Sequence, residues 1–472
     1  MFDGFIRDNA SWTPRAPAVI TPWGRYSYTT FDADIDRVAR ALADRGIGPG
    51  AGVVAVAIAQ PYLQLVAIAA LARLGVCGAP GRDYGADLRL TDLDDLDAGP
   101  PVLRLFPDEA AAILAAEPRR LPQLELDPED LGQVIPSSGT TRTPRRVGLS
   151  WRRIEVGNYA NLRSYAAGKA GTWAPVTGVE SMLGFSMTVG AWSVGAAVAW
   201  GFRIGDIPLL MEQLEPGIIG MTPRQLRELL SILPAGFQPR PDWRVCAAGS
   251  LLPAASAREA RLRLTPDVRI VYGSTEASLL AVGHAADLEE HPGIVGRTPS
   301  GSILEIVGED GRPVRDGEPG EFRITGERMS QGYLGDPEAS AERFRDGWFH
   351  TRDVGRRLPD GRLILEGRMD ERLDLGGFKF MPQELEQAAF ACAGVVDCAA
   401  FAAEDAEGIT RCWLATVSEP GFDRGRLAQH LAAWPDLPEI HLAWIDAIPR
   451  NAMGKIERDV LRERLLAALR GG

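Results

Sequence analysis

Apolar positions in the first three hundred residues recur either with a helical period or in short unbroken runs. In "SYTTFDADIDRVARALADRGIGPG", Phe31, Ile35, Val38, Ala39 and Leu42 fall on one face of a helix, and Gly46 ends it. Thr29 or Thr30 can cap that helix, and Asp32 and Asp34 put negative charge in its first turn, where the dipole favours it. "GVVAVAIAQ" then reads as a strand buried on both faces, and "PYLQLVAIAALARLGV" as a helix with Pro61 in its first turn. This alternation predicts an α/β fold with mostly parallel sheets. Beyond about residue 300 the pattern changes. "SILEIVGEDGRPVRDGEPGEFRITG" alternates apolar and polar residues around glycine turns, as antiparallel hairpins do. After the charged stretch "EGRMDERLDLGG" the runs "PQELEQAAFA" and "RGRLAQHLAAW" read as helices, and "VDCAAFAA", "RCWLATV" and "EIHLAWI" as strands. The expected organisation is a large layered α/β domain, residues 1–368, followed by a small α+β domain, residues 369–472.

Composition narrows the functions open to such a chain. Its 472 residues are too many for one compact core, and 45% hydrophobic with 24% charged residues is ordinary for a globular protein. A net charge of −12 speaks against nucleic acid and against a basic membrane-surface role. The uncharged segment 181–202 is the one stretch apolar enough to raise a membrane span, but its four glycines and its hydroxyls predict a buried helix and strand instead. Five scattered cysteines without a CxxC pair or a histidine cluster fit reduced thiols in a cytoplasmic protein. "MFDGFIRDNASW" lacks the long apolar core of a signal peptide.

Against the acidic background, "SSGTTRTPRRVGLSWRR" concentrates hydroxyls, a glycine and arginines. Such a turn offers N–H and O–H donors without bulk, which suits phosphate oxygens, although the Walker A spacing is absent. Taken alone, such a turn is more often just a loop. Five further segments follow in order: "VYGSTEA", "GEFRITGERMSQGYLGDP", "WFHTRDVG", "GRMDERLDLGGFKFMPQELE" and "IPRNAMGKIER". With the loop, which is similar to S-G-T-T-G-x-P-K-G-V, these resemble the motifs of the adenylate-forming superfamily of acyl-CoA synthetases and nonribosomal adenylation domains, over residues 25 to 460.

The resemblance implies a two-step reaction with ATP and Mg2+: a carboxylic acid is adenylated, and a thiol, of coenzyme A or of a carrier protein's pantetheine, then displaces AMP. It also implies roles. Lys455 would orient the carboxylate and stabilise the developing charge. Ser138, Gly139, Thr140, Thr141, Arg145 and Thr275 would hold phosphates, and Glu276 the metal. Gly249, Ser250, Tyr272, Gly273, Asp353 and Arg368 would hold adenosine, with Tyr272 on the adenine and Asp353 on the ribose hydroxyls. Asp370 would be the hinge, and Gly377 would let pantetheine pass. Met187, Gly190, Trp192 and Gly273 would line a compact apolar acyl pocket.

The chain departs from the family pattern in several places. Arg142 and Arg146 replace glycines and Arg145 a lysine, which predicts a stiffer loop with forked phosphate donors. Arg352 stands where T-G-D has glycine, Asp374 where lysine is common, and Trp151 where many acyl-CoA synthetases have histidine. Ser186 occupies the place of the aspartate that meets an α-ammonium group in amino-acid-activating relatives, so an aromatic or short-to-medium aliphatic acid is expected instead. The rival expectations are acyl transfer to a carrier protein or an amine, and a nucleotide-binding descendant without turnover.

Overall fold

The computed structural model describes residues 2–81, 85–93, 99–137, 144–169, 171–375, 379–404, 410–432, 439–450 and 456–470. Strands Ile218–Met221, Arg244–Ala248 and Val268–Ser274 lie side by side and parallel, and their carboxyl ends open onto one crevice. They belong to an eight-stranded sheet that continues through Thr172–Pro175, Ala197–Ala199 and Pro17–Thr21 and is closed by antiparallel strands at both edges. A second sheet, of six strands, runs from Val102–Arg104 to Arg146–Ser150 and is parallel except for its last pair. Between these sheets pack helices such as Pro61–Arg73, apolar nearly all round because both its sides are covered. The helix Tyr28–Ala43 follows the expected stripe, with two corrections. Its cap is Ser27, whose hydroxyl accepts from the Thr30 N–H, while Thr29 Oγ1 donates to the Pro14 carbonyl. Because the helix begins at Tyr28, its first turn holds no acidic residue, and Asp32 and Asp34 fall in the second turn.

From Ile294 to Arg368 the chain forms an antiparallel sheet, as the alternation predicts. A single 3₁₀ turn, Met369–Glu371, links it to the residues that follow. These close cores of their own, one around Leu385, Cys398, Leu414 and Leu427 and another around Phe401, Ala415 and Leu461, on the sheet of Val395–Glu404, Thr410–Ser418 and Ile440–Trp444. Segment 181–202 forms the helix Met182–Ser193 and the strand Ala197–Ala199. No helix among the described residues is long and apolar enough to cross a membrane. All five cysteines are free and buried.

Two of the replaced glycines have different consequences. Arg146 opens the strand Arg146–Ser150, pairs with Pro136 and donates to the Gly85 carbonyl, so nothing there needs positive φ. Arg352 does sit at φ 62°, the left-handed conformation that favours glycine, held by its N–H to Glu321 Oε1 at 3.1 Å and by its guanidinium on Glu342. An L side chain in that conformation costs about 1–2 kcal/mol, which the half-exposed ion pair offsets in part. Arg352→Gly is therefore expected to stabilise the protein by about 0.5–1 kcal/mol, read as a higher denaturant midpoint with unchanged slope. An equal or lower midpoint would show that the Glu342 contact outweighs the backbone cost.

Candidate active site

Two cavities meet at the carboxyl ends of the three parallel strands, the place where open α/β sheets take ligands. Arg224, Gly249, Val271, Gly273 and Ser274 line both. Each of those strands leads straight into the crevice: Thr222 follows the first, Gly249 and Ser250 the second, Thr275 and Glu276 the third. Gly249 turns at φ 96°, which lets the backbone leave the strand without a Cβ in the way.

On the side facing the antiparallel sheet, strand pairing sets Asp353 directly opposite Arg368. The Arg368 Nη1 lies 3.4 Å from Asp353 Oδ1, and the Tyr272 hydroxyl donates to Asp353 Oδ2. Burial and this carboxylate push the Tyr272 phenol well above its ordinary pKa, so it stays a donor. Arg368 also donates to Asp370 Oδ1 at 3.0 Å. Burial acts to raise the Asp370 carboxyl, but Arg368 holds it below the usual value, so Asp370 is an ion-paired carboxylate at the turn between the two units. Tyr272, Asp353, Arg368, Gly249, Ser250 and Gly273 are thus brought together around one cavity of about 260 Å³.

The same cavity continues to Ser137, Arg145, Glu276 and Tyr333. Arg145 lies over the Tyr333 ring at 5.2 Å and 3.3 Å from Asp336. The Tyr333 hydroxyl donates to Glu276 Oε1 at 2.9 Å, and Thr275 Oγ1 donates to the Pro136 carbonyl at 3.2 Å, tying the turn to the strand that enters the hydroxyl-rich loop. Beneath them Arg153 is buried: its Nη2 donates to the Thr275 carbonyl, its Nε to the Arg328 carbonyl, both at 2.6 Å, and its Nη1 to the Gly148 carbonyl at 3.0 Å. Burial pushes this guanidinium down to about 9 while Glu276 pulls the other way. The described residues hold no cluster of three or more histidines, cysteines or carboxylates that would bind a metal by itself. One carboxylate, Glu276, in a cavity it shares with Arg145 is nevertheless the donor set Mg2+ uses when substrate phosphates and water complete its shell.

The second cavity, about 300 Å³, corrects the expected acyl pocket. Gly273 lines it, but Met187, Gly190 and Trp192 do not: all three turn into the core. Trp192 packs on Phe2 and Phe31, Gly190 abuts the Trp173 ring, and Met187 Sδ fills the space beside Gly220. The helix is apolar all round, so its period could not tell which face met the cavity; the lining comes from its first turns, Met182, Leu183 and Ser186, with Ile204 and Leu279 opposite. Arg224 and Glu228, one turn apart on the helix Pro223–Ile232, also border it and carry no motif that would single them out. Tyr333, in the segment "GEFRITGERMSQGYLGDP", also borders the first cavity through its bond to Glu276, and the motif implies no role for it. Trp151 is core, against Phe2 and Gly132. Ser138, Gly139, Thr140, Thr141, Arg142, Gly377 and Lys455 lie outside the described residues; Arg450, Ile456 and Arg458, which flank Lys455 in the chain, line the cavity that holds Asp353.

The sequence profile of the AMP-binding enzyme family matches residues 85–334. The indoleacetate–CoA ligase of Aromatoleum aromaticum is 26% identical over 523 residues, 97% of each chain. The o-succinylbenzoate CoA synthetase from Bacillus subtilis, in complex with its acyl-adenylate intermediate, has a TM-score of 0.84 over 97% of both chains at 19% identity. The amide bond synthetase McbA from Marinactinospora thermotolerans has a TM-score of 0.83 over 98% of this chain and 100% of its own, at 21% identity. At such identities the two solved structures share the fold with this chain.

Proposed function

This chain belongs to the AMP-binding enzyme family and is an adenylate-forming ligase, and on that footing we propose that it joins a small hydrophobic carboxylic acid, aromatic or of short to medium chain, to coenzyme A. The observation that carries this reading is the meeting of the two cavities at Gly273 and Ser274, one bordered by Tyr272, Asp353, Arg368 and Glu276 and the other by Leu183, Ile204 and Leu279. An acid in the second cavity and an adenine nucleotide in the first would bring the carboxylate to the α-phosphate at that junction.

In the first step a carboxylate oxygen bonds to the α-phosphorus as the bond from that phosphorus to the pyrophosphate oxygen breaks. Asp353, supported by Arg368, accepts the ribose hydroxyls, and the Tyr272 ring faces the adenine. Arg145 and the hydroxyl-rich loop, Ser138 to Thr141, neutralise the outer phosphates, and Thr275 meets the α-phosphate. Glu276 would hold magnesium, which would supply further neutralisation of that charge. Lys455 holds the attacking carboxylate beside the phosphate, where two anions otherwise repel. In the second step the thiol sulfur bonds to the acyl carbon, its proton is lost and AMP leaves with the bonding electrons. Residues 369–472 act as a lid that turns about Asp370, and Gly377 lets pantetheine approach.

The test is acid-dependent exchange of labelled pyrophosphate into ATP with pools of aromatic, aliphatic and α-amino acids, followed by coenzyme A. Exchange with hydrophobic acids and formation of the acyl-CoA is the expected result. Exchange confined to α-amino acids would overturn the substrate class. Product formed only with a carrier protein or an amine would overturn the acceptor.

A further inference from the structure

Arg227 lies on the helix Pro223–Ile232, in none of the family's motifs, and its guanidinium reaches across to the C-terminal unit. Its Nη1 donates to the Val396 carbonyl at 2.8 Å, its Nη2 lies 3.4 Å from Asp397 Oδ1, and its Cζ stands 4.8 Å from the centre of the Phe390 ring. Asp397 is shared. Arg450 Nη2 donates to both of its oxygens, at 2.9 and 3.1 Å, and Arg450 Nε lies 3.3 Å from Oδ2. One carboxylate thus couples a helix of the large unit to Arg450, five positions before Lys455, and Arg450, Ile456 and Arg458 face the nucleotide cavity.

The pair is largely shielded, with 21% of the Arg227 and 18% of the Asp397 side chain exposed, so it is stronger than a surface ion pair. The cation–π contact with Phe390 and the bond to Val396 add directionality that a charge alone lacks. Because Arg450 neutralises Asp397 from within the C-terminal unit, removing Arg227 leaves that unit's own ion pair in place.

We propose that Arg227 is a positioning residue for the adenylating half-reaction: it docks the C-terminal unit with its Arg450–Arg458 side turned to the nucleotide. This rests on the two-step reading above, and it assigns Arg227 a part in one step only. Thioester formation, for which the unit must turn away, does not use the contact.

Two measurements on the full chain test it. The first needs no substrate: spin labels at Leu262→Cys and Glu439→Cys, both exposed positions, report the distance between the units, and the buried native cysteines leave these sites selectively reactive. Arg227→Ala is expected to broaden a dominant distance seen with Arg227 present, and Arg227→Lys to restore part of it. The second compares half-reactions, using the acid that supports the fastest exchange and its synthetic adenylate. Arg227→Ala is expected to slow pyrophosphate exchange by about tenfold, the size of a shielded ion pair with a cation–π contact, and to leave thioester formation from the supplied adenylate within about twofold. Unchanged distances, or equal loss in both half-reactions, would overturn the assignment. Absence of exchange with every acid in the unsubstituted protein would instead sink the adenylation substrate reading, and the distance measurement would then decide the docking contact by itself.

Discussion

Lys455→Ala is expected to lower acid-dependent pyrophosphate exchange by about 10²–10³-fold, the effect of removing one preorganised donor aimed at developing charge. The carboxylate and the α-phosphate are both anionic, and their approach needs a cation that is in place before the reaction rather than recruited from solvent. Arg145 and Arg368 border the cavity but are engaged by Asp336 and by Asp353 with Asp370, so neither substitutes for the lysine at the junction. ATP binding should stay within a few-fold, because the proposed reading gives nucleotide recognition to Tyr272, Asp353 and Arg368, which border the same cavity. Thioester formation from a supplied acyl-adenylate should also persist, since its phosphate bond is already made. Equal loss of binding and exchange would mean that Lys455 holds nucleotide and does not act at the transition state.

The second large effect is expected at Glu276. Glu276→Gln keeps the shape and the hydrogen bond from Tyr333 but removes the charge. Exchange should fall by about 10²-fold at a fixed magnesium concentration and recover in part as magnesium is raised, because a hard cation bound by one carboxylate and phosphates loses its charged ligand. Stability should fall too, by about 1–3 kcal/mol, since the buried Arg153 loses the negative charge facing it. Thermal unfolding reads the stability loss apart from the exchange rate, and Tyr333→Phe, which removes the hydrogen bond but keeps the carboxylate, should affect exchange far less than Glu276→Gln. If magnesium leaves the Glu276→Gln rate untouched, Glu276 holds Arg153 and Thr275 in place and is not a metal ligand.

Much of the fold is legible in the pattern of side chains. A one-sided apolar stripe and a proline at the first turn set the helices Tyr28–Ala43 and Pro61–Arg73, and alternation set the hairpin of Ser302–Val307 with Gly320–Gly326. Local rules fail where several residues compete for one role: three hydroxyl residues, Ser27, Thr29 and Thr30, crowd the start of the first of those helices, and which one caps it depends on Pro14, fifteen positions earlier than Thr29. The replaced glycine at Arg352 was visible in the chain, but that its backbone keeps the left-handed turn, whereas Arg146 joins a strand, needed coordinates.

The same division runs through the site. Ordered motifs in the sequence alone determined the family resemblance, the α/β class and the candidate residues Tyr272, Glu276, Asp353 and Arg368, because each is held by a local turn or strand end whose residues are contiguous. Tertiary structure alone decided what borders the second cavity and what links the two units. A helix apolar on every side has no preferred face until neighbours cover it, so Met187, Gly190 and Trp192 went to the core and Met182, Leu183 and Ser186 to the cavity. Arg153 and Arg227 find their partners more than a hundred residues away, at Thr275 and Asp397, and a charge whose partner is distant in the chain looks like any solvated arginine until the fold brings the two together.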